Sequence, residues 1–546
     1  MESLRARLLG PAPAAHDHER VGTARQRRIA TWGILLVTLV GGALRLWRLG
    51  HPDRLVFDET YYVKQAWSLI RYGHEREIRE GLEDPDALFT NGDPDVFGGQ
   101  PDLVVHPPVG KWMIGLGELV TGPESALGWR LSSATVGTLS IALLGVVAWL
   151  IWRNALLAIS AATLLAVDGH HFAQSRIGLL DIFLMWWVLV AFLLLLLDRE
   201  QGRRRLAQRW GPWWERTHGP AAARSPVPRT PWGRWRRWWG PSLGMRWWRL
   251  AAGISLGLAV GTKWSGLYFL AVFGLMTFFW DLGARRAAGA RDWAVGAVVR
   301  DGIPAFLLMV PTSVLTYVAT WAGWFLTDGG WKRQWAVDNP APSGSPAALV
   351  PDPLRSLWAY HQEQWNFHVG LQNEHAWSSN PWSWTVQWRP TLFYADWPEQ
   401  GEKGCEAARC VEYIASLGNV VLWWGGTLAL LVALFCWLLG RDWRAGAALS
   451  GIAAGWLPWF LYQTRTIYSF YAIAFVPWLV LVVVTCLALV LGTDRASPRR
   501  RRWGAVVVVG YVTLAVAFFV WYWPVHTAIV IPRDQWDLRM WFDFWT

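Results

Sequence analysis

Stretch after stretch of this chain stays apolar for about 17 to 25 residues, the length of helix that crosses the hydrocarbon core of a bilayer. Such runs fall near 30–48, 131–152, 154–169, 177–198, 249–265, 266–283, 302–326, 419–440, 446–462, 467–492 and 503–525. Composition agrees: 53% of the 546 residues are hydrophobic and 15% aromatic, too many for a soluble chain of this size. The expected fold is therefore an all-α polytopic membrane protein of about eleven transmembrane helices. Ten to thirteen is the range, because the third and fifth runs are short and Trp264-Ser265-Gly266 can be a kink instead of a turn.

Arginine settles the expected orientation, since basic residues are retained on the cytoplasmic side. Segment 199–248 carries twelve arginines against Glu200 and Glu215, and Arg285, Arg286, Arg291, Arg300, Arg441, Arg444 and Arg499–Arg502 mark further inside loops. Alternation from a cytoplasmic tail, 1–29, through eleven spans puts all of these on one side. Residues 29–47 then read as an uncleaved signal anchor. The outside receives two large loops. Loop 51–130 has fourteen acidic and seven basic residues, and 327–418 has ten and six. The first seven helices, with loop 51–130 among them, make a membrane core, 30–326; four more follow at 419–525, then an outside tail, 526–546. The net charge of +11 is thus explained by topology and not by nucleic acid. Tryptophan among the arginines of 199–248 favours anionic lipid as that segment's partner.

Five lysines against 46 arginines point to a GC-rich bacterial genome, and all five lysines fall outside. A compact ammonium suits a point contact with phosphate, which singles out Lys111 and Lys263; Lys332 and Lys403 read as surface residues. Cys405 and Cys410, in the second outside loop, could pair in an oxidising exterior. Their spacing excludes a four-ligand zinc site. The same loop interleaves Trp, His and amide residues in Gln364-Trp365-Asn366-Phe367-His368 and Glu374–Trp384, either as an interfacial belt or as a wall for a sugar or peptide.

Directly after the first span come Phe57-Asp58-Glu59-Thr60-Tyr61-Tyr62, two carboxylates at the membrane lip where burial can tune a base. Later in that loop stand His106-Pro107-Pro108-Val109-Gly110-Lys111, a stiffened turn flanked by two cation-capable groups. Gln174-Ser175-Arg176 leads into Leu179-Leu180-Asp181, and an acid inside an apolar run needs a partner or a wet cavity. Arg176 could pair with Asp181 or hold a phosphate. Lys263 and Arg465 bring cations to the same surface. Asp84-Pro85-Asp86 and Asp93-Pro94-Asp95 imitate metal-binding Asp-x-Asp motifs but read as turns, and adjacent His170 and His171 are poorly placed for one metal ion.

Taken in order, Phe57-Asp58-Glu59, His106–Lys111, Gln174–Arg176 with Leu179–Asp181, and Lys263-Trp264 followed by Gly266-Leu267 resemble the protein O-mannosyltransferase family. The resemblance implies a C-type glycosyltransferase fold in the bacterial plasma membrane, with an external active site. It implies transfer of mannose from polyprenyl-phosphate mannose to Ser/Thr hydroxyls of acceptor proteins, met during Sec translocation, with no metal and no cofactor beyond the donor. By that resemblance Asp58 is the general base and Glu59 positions the acceptor. His106, Lys111, Arg176, Lys263 and Arg465 are candidates for the donor phosphate, and Gln174 and Asp181 support the site. One departure is that 327–418 is too short for the β-trefoil insertion of eukaryotic members, which puts acceptor choice in doubt. A transferase of the same fold acting on lipid or polysaccharide, and a transporter, are the competing readings; no inverted repeat supports the latter.

Overall fold

The computed structural model of the chain describes residues 2–9, 17–218, 238–493 and 496–546. Each apolar run falls on a helix, but not every helix spans. Among the described residues eight are long and apolar enough to cross a membrane, including Ala24–Leu46, Ala126–Trp152, Asp181–Glu215 and Ser469–Leu491. Ala155–Ala166, Trp247–Val260 and Trp443–Gly455 have 12, 14 and 13 residues. At about 1.5 Å per residue these reach only some 18 to 21 Å. Polar turns cut them short: Asp168 ends the first by capping the next short helix, accepting from His171 N at 3.0 Å.

Small residues let the helices close on one another, as packing within a membrane demands. Gly253 and Gly257 face Ile303–Thr320, where an added Cβ would meet Leu308 O at 2.9 Å and Ser313 O at 2.7 Å. One cluster of buried charges joins several helices. Asp198 takes hydrogen bonds from Arg246 and Arg249, Arg249 also reaches Asp281 at 2.7 Å, and Arg285 pairs with Asp301. Arg199 lies over the Trp443 ring at 3.4 Å. Arg199 and Arg246, read from sequence as lipid-facing, thus meet residues of the protein itself; 219–237 of that segment lie outside the described residues.

The all-α expectation needs correction in the two large loops and in the C-terminal tail. β1 (Arg76–Ile78) and β2 (Phe97–Pro101) pair antiparallel, and β3 (Leu392–Asp396), β4 (Cys410–Ala415) and β5 (Ile531–Pro532) form a second sheet in that order. Outside the apolar runs the backbone can be satisfied between segments, and Leu-Phe-Tyr and Val-Glu-Tyr-Ile suit a pleated surface. β4 is buried along its whole length. Cys405 and Cys410 form a disulfide at its start. The first loop also holds two helices, Glu59–Tyr72 and Val109–Thr121, that lie beside the spans.

Candidate active site

Asp58 stands at the N-cap position of Glu59–Tyr72, yet its carboxylate makes no capping hydrogen bond. The Tyr62 hydroxyl, one turn on, stands near enough to lower its pKa. Phe57, just before it, takes the left-handed conformation, φ 51°, which is strained for a bulky residue. Its ring packs against Phe393 at 5.2 Å and Phe470 at 5.5 Å, and this packing fixes the turn that presents Asp58. Burial raises the Asp58 pKa from 3.8 to about 6, an effect that Lys263 offsets and Asp181 reinforces. Above that pH the carboxylate is an ionised, poorly solvated base.

Next to it opens a cavity of about 190 Å³ whose walls include His106, Asp181, Lys263, Trp264, His368, Tyr462 and Arg465. Lys263 Nζ donates to Asp181 Oδ2 at 2.7 Å, so that pair is neutral overall. His106 is kept neutral, its pKa pressed well below 6.5 by burial and by Lys263 and other nearby cations. Arg465 donates to His368 Nδ1 at 3.1 Å, its Nε has no partner, and among the described residues it pairs with no carboxylate. The cavity wall therefore carries one uncompensated positive charge. A mono-anionic phosphodiester complements it.

Several residues expected at the phosphate are committed elsewhere. All five lysines are ion-paired: Lys64 with Asp86, Lys111 with Glu75, Lys263 with Asp181, Lys332 with Glu363, and Lys403 with Asp396 and Glu412. Lys111 is fully buried and also donates to His106 O at 2.9 Å, so it holds the His-Pro-Pro turn and does not face the cavity. Arg176 donates to the carbonyls of Arg45 at 2.6 Å and Trp47 at 2.7 Å; it ties down the end of the first span and does not pair with Asp181. Glu59, expected to position an acceptor, is fully buried. Arg130 takes both its oxygens at 2.8 Å, and they also accept from Val56 N and Gly178 N. It has no free face for an acceptor and fixes the backbone around Asp58 instead.

Gln174, expected to support the site, is buried and donates to His170 and to Phe470 O, each at 2.9 Å. His170 and His171 hydrogen-bond apart, to Ser416 and Ser140. Asp84 caps a short helix through Ala87 N and Asp86 accepts from Thr60, as expected of turns. Lys403, expected as a surface residue, secures the buried Glu412 at 2.8 Å.

Sequence reasoning missed Tyr62, Arg130 and His361, the first histidine of the helix Asp352–Gly370. Trp264 Nε1 donates to Tyr317 at 3.1 Å, Tyr317 hydrogen-bonds His361 Nε2, and the His361 ring stacks 5.6 Å from Trp264. His361 and His368 are two helical turns apart and so share a face; that spacing was the available signal.

The profile described as dolichyl-phosphate-mannose-protein mannosyltransferase matches residues 35–215, and that of the C-terminal four TMM region of protein-O-mannosyltransferase matches 353–545. The polyprenol-phosphate-mannose–protein mannosyltransferase of Mycobacterium tuberculosis is 36% identical over 523 residues, 95% of this chain and 91% of that one. Its counterpart in Corynebacterium glutamicum is 32% identical over 548 residues, 99% and 96%. Among solved structures, the S. cerevisiae protein O-mannosyltransferase Pmt1-Pmt2 complex bound to the sugar donor shares the fold. The TM-score is 0.65 at 14% identity, over 95% of this chain and 92% of that one.

Proposed function

Because the chain belongs to the protein O-mannosyltransferase family, we propose that Asp58 is the general base of mannosyl transfer and that Arg465 holds the donor phosphate. The protein is an integral membrane glycosyltransferase that passes mannose from polyprenyl-phosphate mannose to Ser/Thr hydroxyls of proteins. The acceptor oxygen attacks the anomeric carbon while its proton passes to the Asp58 carboxylate. The bond from that carbon to the phosphate oxygen breaks, and polyprenyl phosphate leaves; a β-linked donor gives an α-linked product by inversion. Negative charge grows on the phosphate as the bond breaks, where Arg465 is worth most. His106 is a neutral hydrogen-bonding group on the same wall. Lys263 and Asp181 sit between the phosphate and the base as a neutral pair that tunes both.

One observation carries this reading: a half-buried carboxylate at Asp58, its pKa raised by desolvation, stands near the Lys263–Asp181 pair in the wall of a cavity whose one uncompensated cation, among the described residues, is Arg465. By the charge rule, the arginine-rich face is cytoplasmic with the N-terminus, so the site opens outside, where acceptors emerge during Sec translocation. No step draws on a metal or a second cofactor. The test is transfer of labelled mannose from polyprenyl-phosphate mannose to a Ser/Thr-rich peptide by membranes containing the full chain. Asp58→Asn abolishes transfer at wild-type protein levels; transfer at the wild-type rate by that variant overturns the base assignment.

A further inference from the structure

Arg465 enters the cavity from 462–466, a connection with neither helix nor strand to hold it. A long side chain on such a segment has many rotamers, and fixing one of them needs a partner. That partner is His368, whose Nδ1 lies 3.1 Å from the guanidinium and whose Nε2 lies 2.8 Å from Val105 O. Arginine only donates and a carbonyl only accepts. Neither ring nitrogen has a choice: Nε2 carries the hydrogen, donated to Val105, and Nδ1 offers its lone pair to Arg465. The ring itself is held between His106 at 5.2 Å and Trp264 at 5.8 Å. Burial and the nearby Arg465 keep it neutral, with a pKa of about 4.

We propose that His368 is a positioning residue that aims Arg465 at the donor phosphate through its Nδ1 lone pair, with Val105 fixing the tautomer. This rests on the reading of the cavity as the phosphate site. The site is then assembled from three separate segments: the His-Pro-Pro turn, the helix Asp352–Gly370 and the 462–466 connection. An imidazole with its hydrogen on Nδ1 would point a donor at a donor and turn the guanidinium away.

The test uses the full chain in detergent, with polyprenyl phosphate as the binding probe and donor and acceptor KM measured separately. His368→Phe keeps a ring and removes both nitrogens; it raises donor KM about tenfold and leaves acceptor KM unchanged, the size of effect that losing a hydrogen bond to a charged group produces. His368→Asn, which retains an acceptor near the Nδ1 position, restores most of the loss. On an Arg465→Ala background His368→Phe adds nothing, because residues acting as one unit are not additive. If His368→Phe is poorly folded by thermal unfolding, His368→Gln replaces it with the same expected rise, since it reaches Val105 without an acceptor at Nδ1. Full additivity in the double variant, or wild-type donor KM in His368→Phe while Arg465→Ala weakens the probe, overturns the positioning role and leaves the phosphate reading standing. Unchanged probe affinity in Arg465→Ala overturns both.

Discussion

Lys263 Nζ lies 2.7 Å from Asp181 Oδ2, with both side chains buried at the cavity wall. The pair faces Asp58, which Lys263 holds down and Asp181 pushes up. Lys263→Met removes the opposing cation, so the Asp58 pKa rises above about 6 and the acid limb of the kcat/KM profile moves to higher pH. It also leaves Asp181 unpaired, a loss of about 3 to 5 kcal/mol for breaking a buried pair. Lys263→Met/Asp181→Asn recovers much of that stability. An unmoved acid limb in folded Lys263→Met shows that the two sites are not coupled.

Asp58 makes the fold less stable at working pH. Its folded pKa, about 6, exceeds the ordinary 3.8, so the folded state favours the protonated form. The sign follows: relative stability is greatest below about pH 4 and is lost as pH rises through about 6, up to about 3 kcal/mol for a shift of some two units. Asp58→Asn should therefore be inactive yet melt higher than the wild type at pH 7.5, with the difference vanishing near pH 4. Equal midpoints at both pH values would remove the desolvated-base picture.

Much of this was legible in the sequence, and the rest was hidden for identifiable reasons. Apolar runs and arginine placement gave the helical core, because bilayer thickness and backbone satisfaction leave few alternatives. Asp58, His106, Lys263 and Arg465 were legible as one surface because topology put their segments on one side. What topology cannot show is which way a side chain turns. Lys111 and Arg176 carry the right charge on the right face, yet Glu75 and the carbonyls ending the first span claim them. Glu75 and Arg130 are ordinary loop residues in sequence. Only the fold reveals that they complete buried pairs.

The Glu59–Arg130 pair makes a prediction that separates structure from catalysis. Arg130 also donates to Pro52 O and Arg54 O at 2.9 Å, so the pair closes the whole turn that carries Asp58. Glu59→Ala strands a buried guanidinium, costing about 3 to 5 kcal/mol, and should lower folded yield and melting midpoint. In the folded fraction acceptor KM stays near the wild-type value. A selective rise in acceptor KM with normal stability would return Glu59 to the role expected from sequence.

The disulfide Cys405–Cys410 closes a short loop just after Lys403, which reaches buried Glu412. Burial pushes the Glu412 carboxyl up, but hydrogen bonds from His51, Lys403 and Tyr394 outweigh it and leave the pKa at about 2. The stability these bonds supply is present above the ordinary pKa of 4.5 and is lost as pH falls toward 2. Cys405→Ser/Cys410→Ser should cost about 2 kcal/mol from loop entropy, read as a lower melting midpoint, and dithiothreitol should reproduce it in the wild type alone. An unchanged midpoint would show that the hairpin stands without its bridge.

Tyr317 is the middle of a directed chain: the Trp264 indole donates to its oxygen at 3.1 Å, and its hydroxyl reaches His361, whose Nδ1 in turn meets Leu357 O at 2.6 Å. The chain ties the Trp264 wall of the cavity to the helix Asp352–Gly370 by polar contacts, while ring stacking adds contact area. Tyr317→Phe removes only the hydroxyl and leaves the indole N–H and the His361 lone pair unsatisfied, a cost of about 1 to 3 kcal/mol. Because that cost falls on the wall lining the donor cavity, kcat/KM for the donor should drop about tenfold. The melting midpoint should move by only a few degrees. His361→Phe, which keeps the stacked ring and breaks the same chain, should give the same loss, and the two together should lose no more than either alone. Additive losses would mean that Tyr317 and His361 reach the cavity by separate routes.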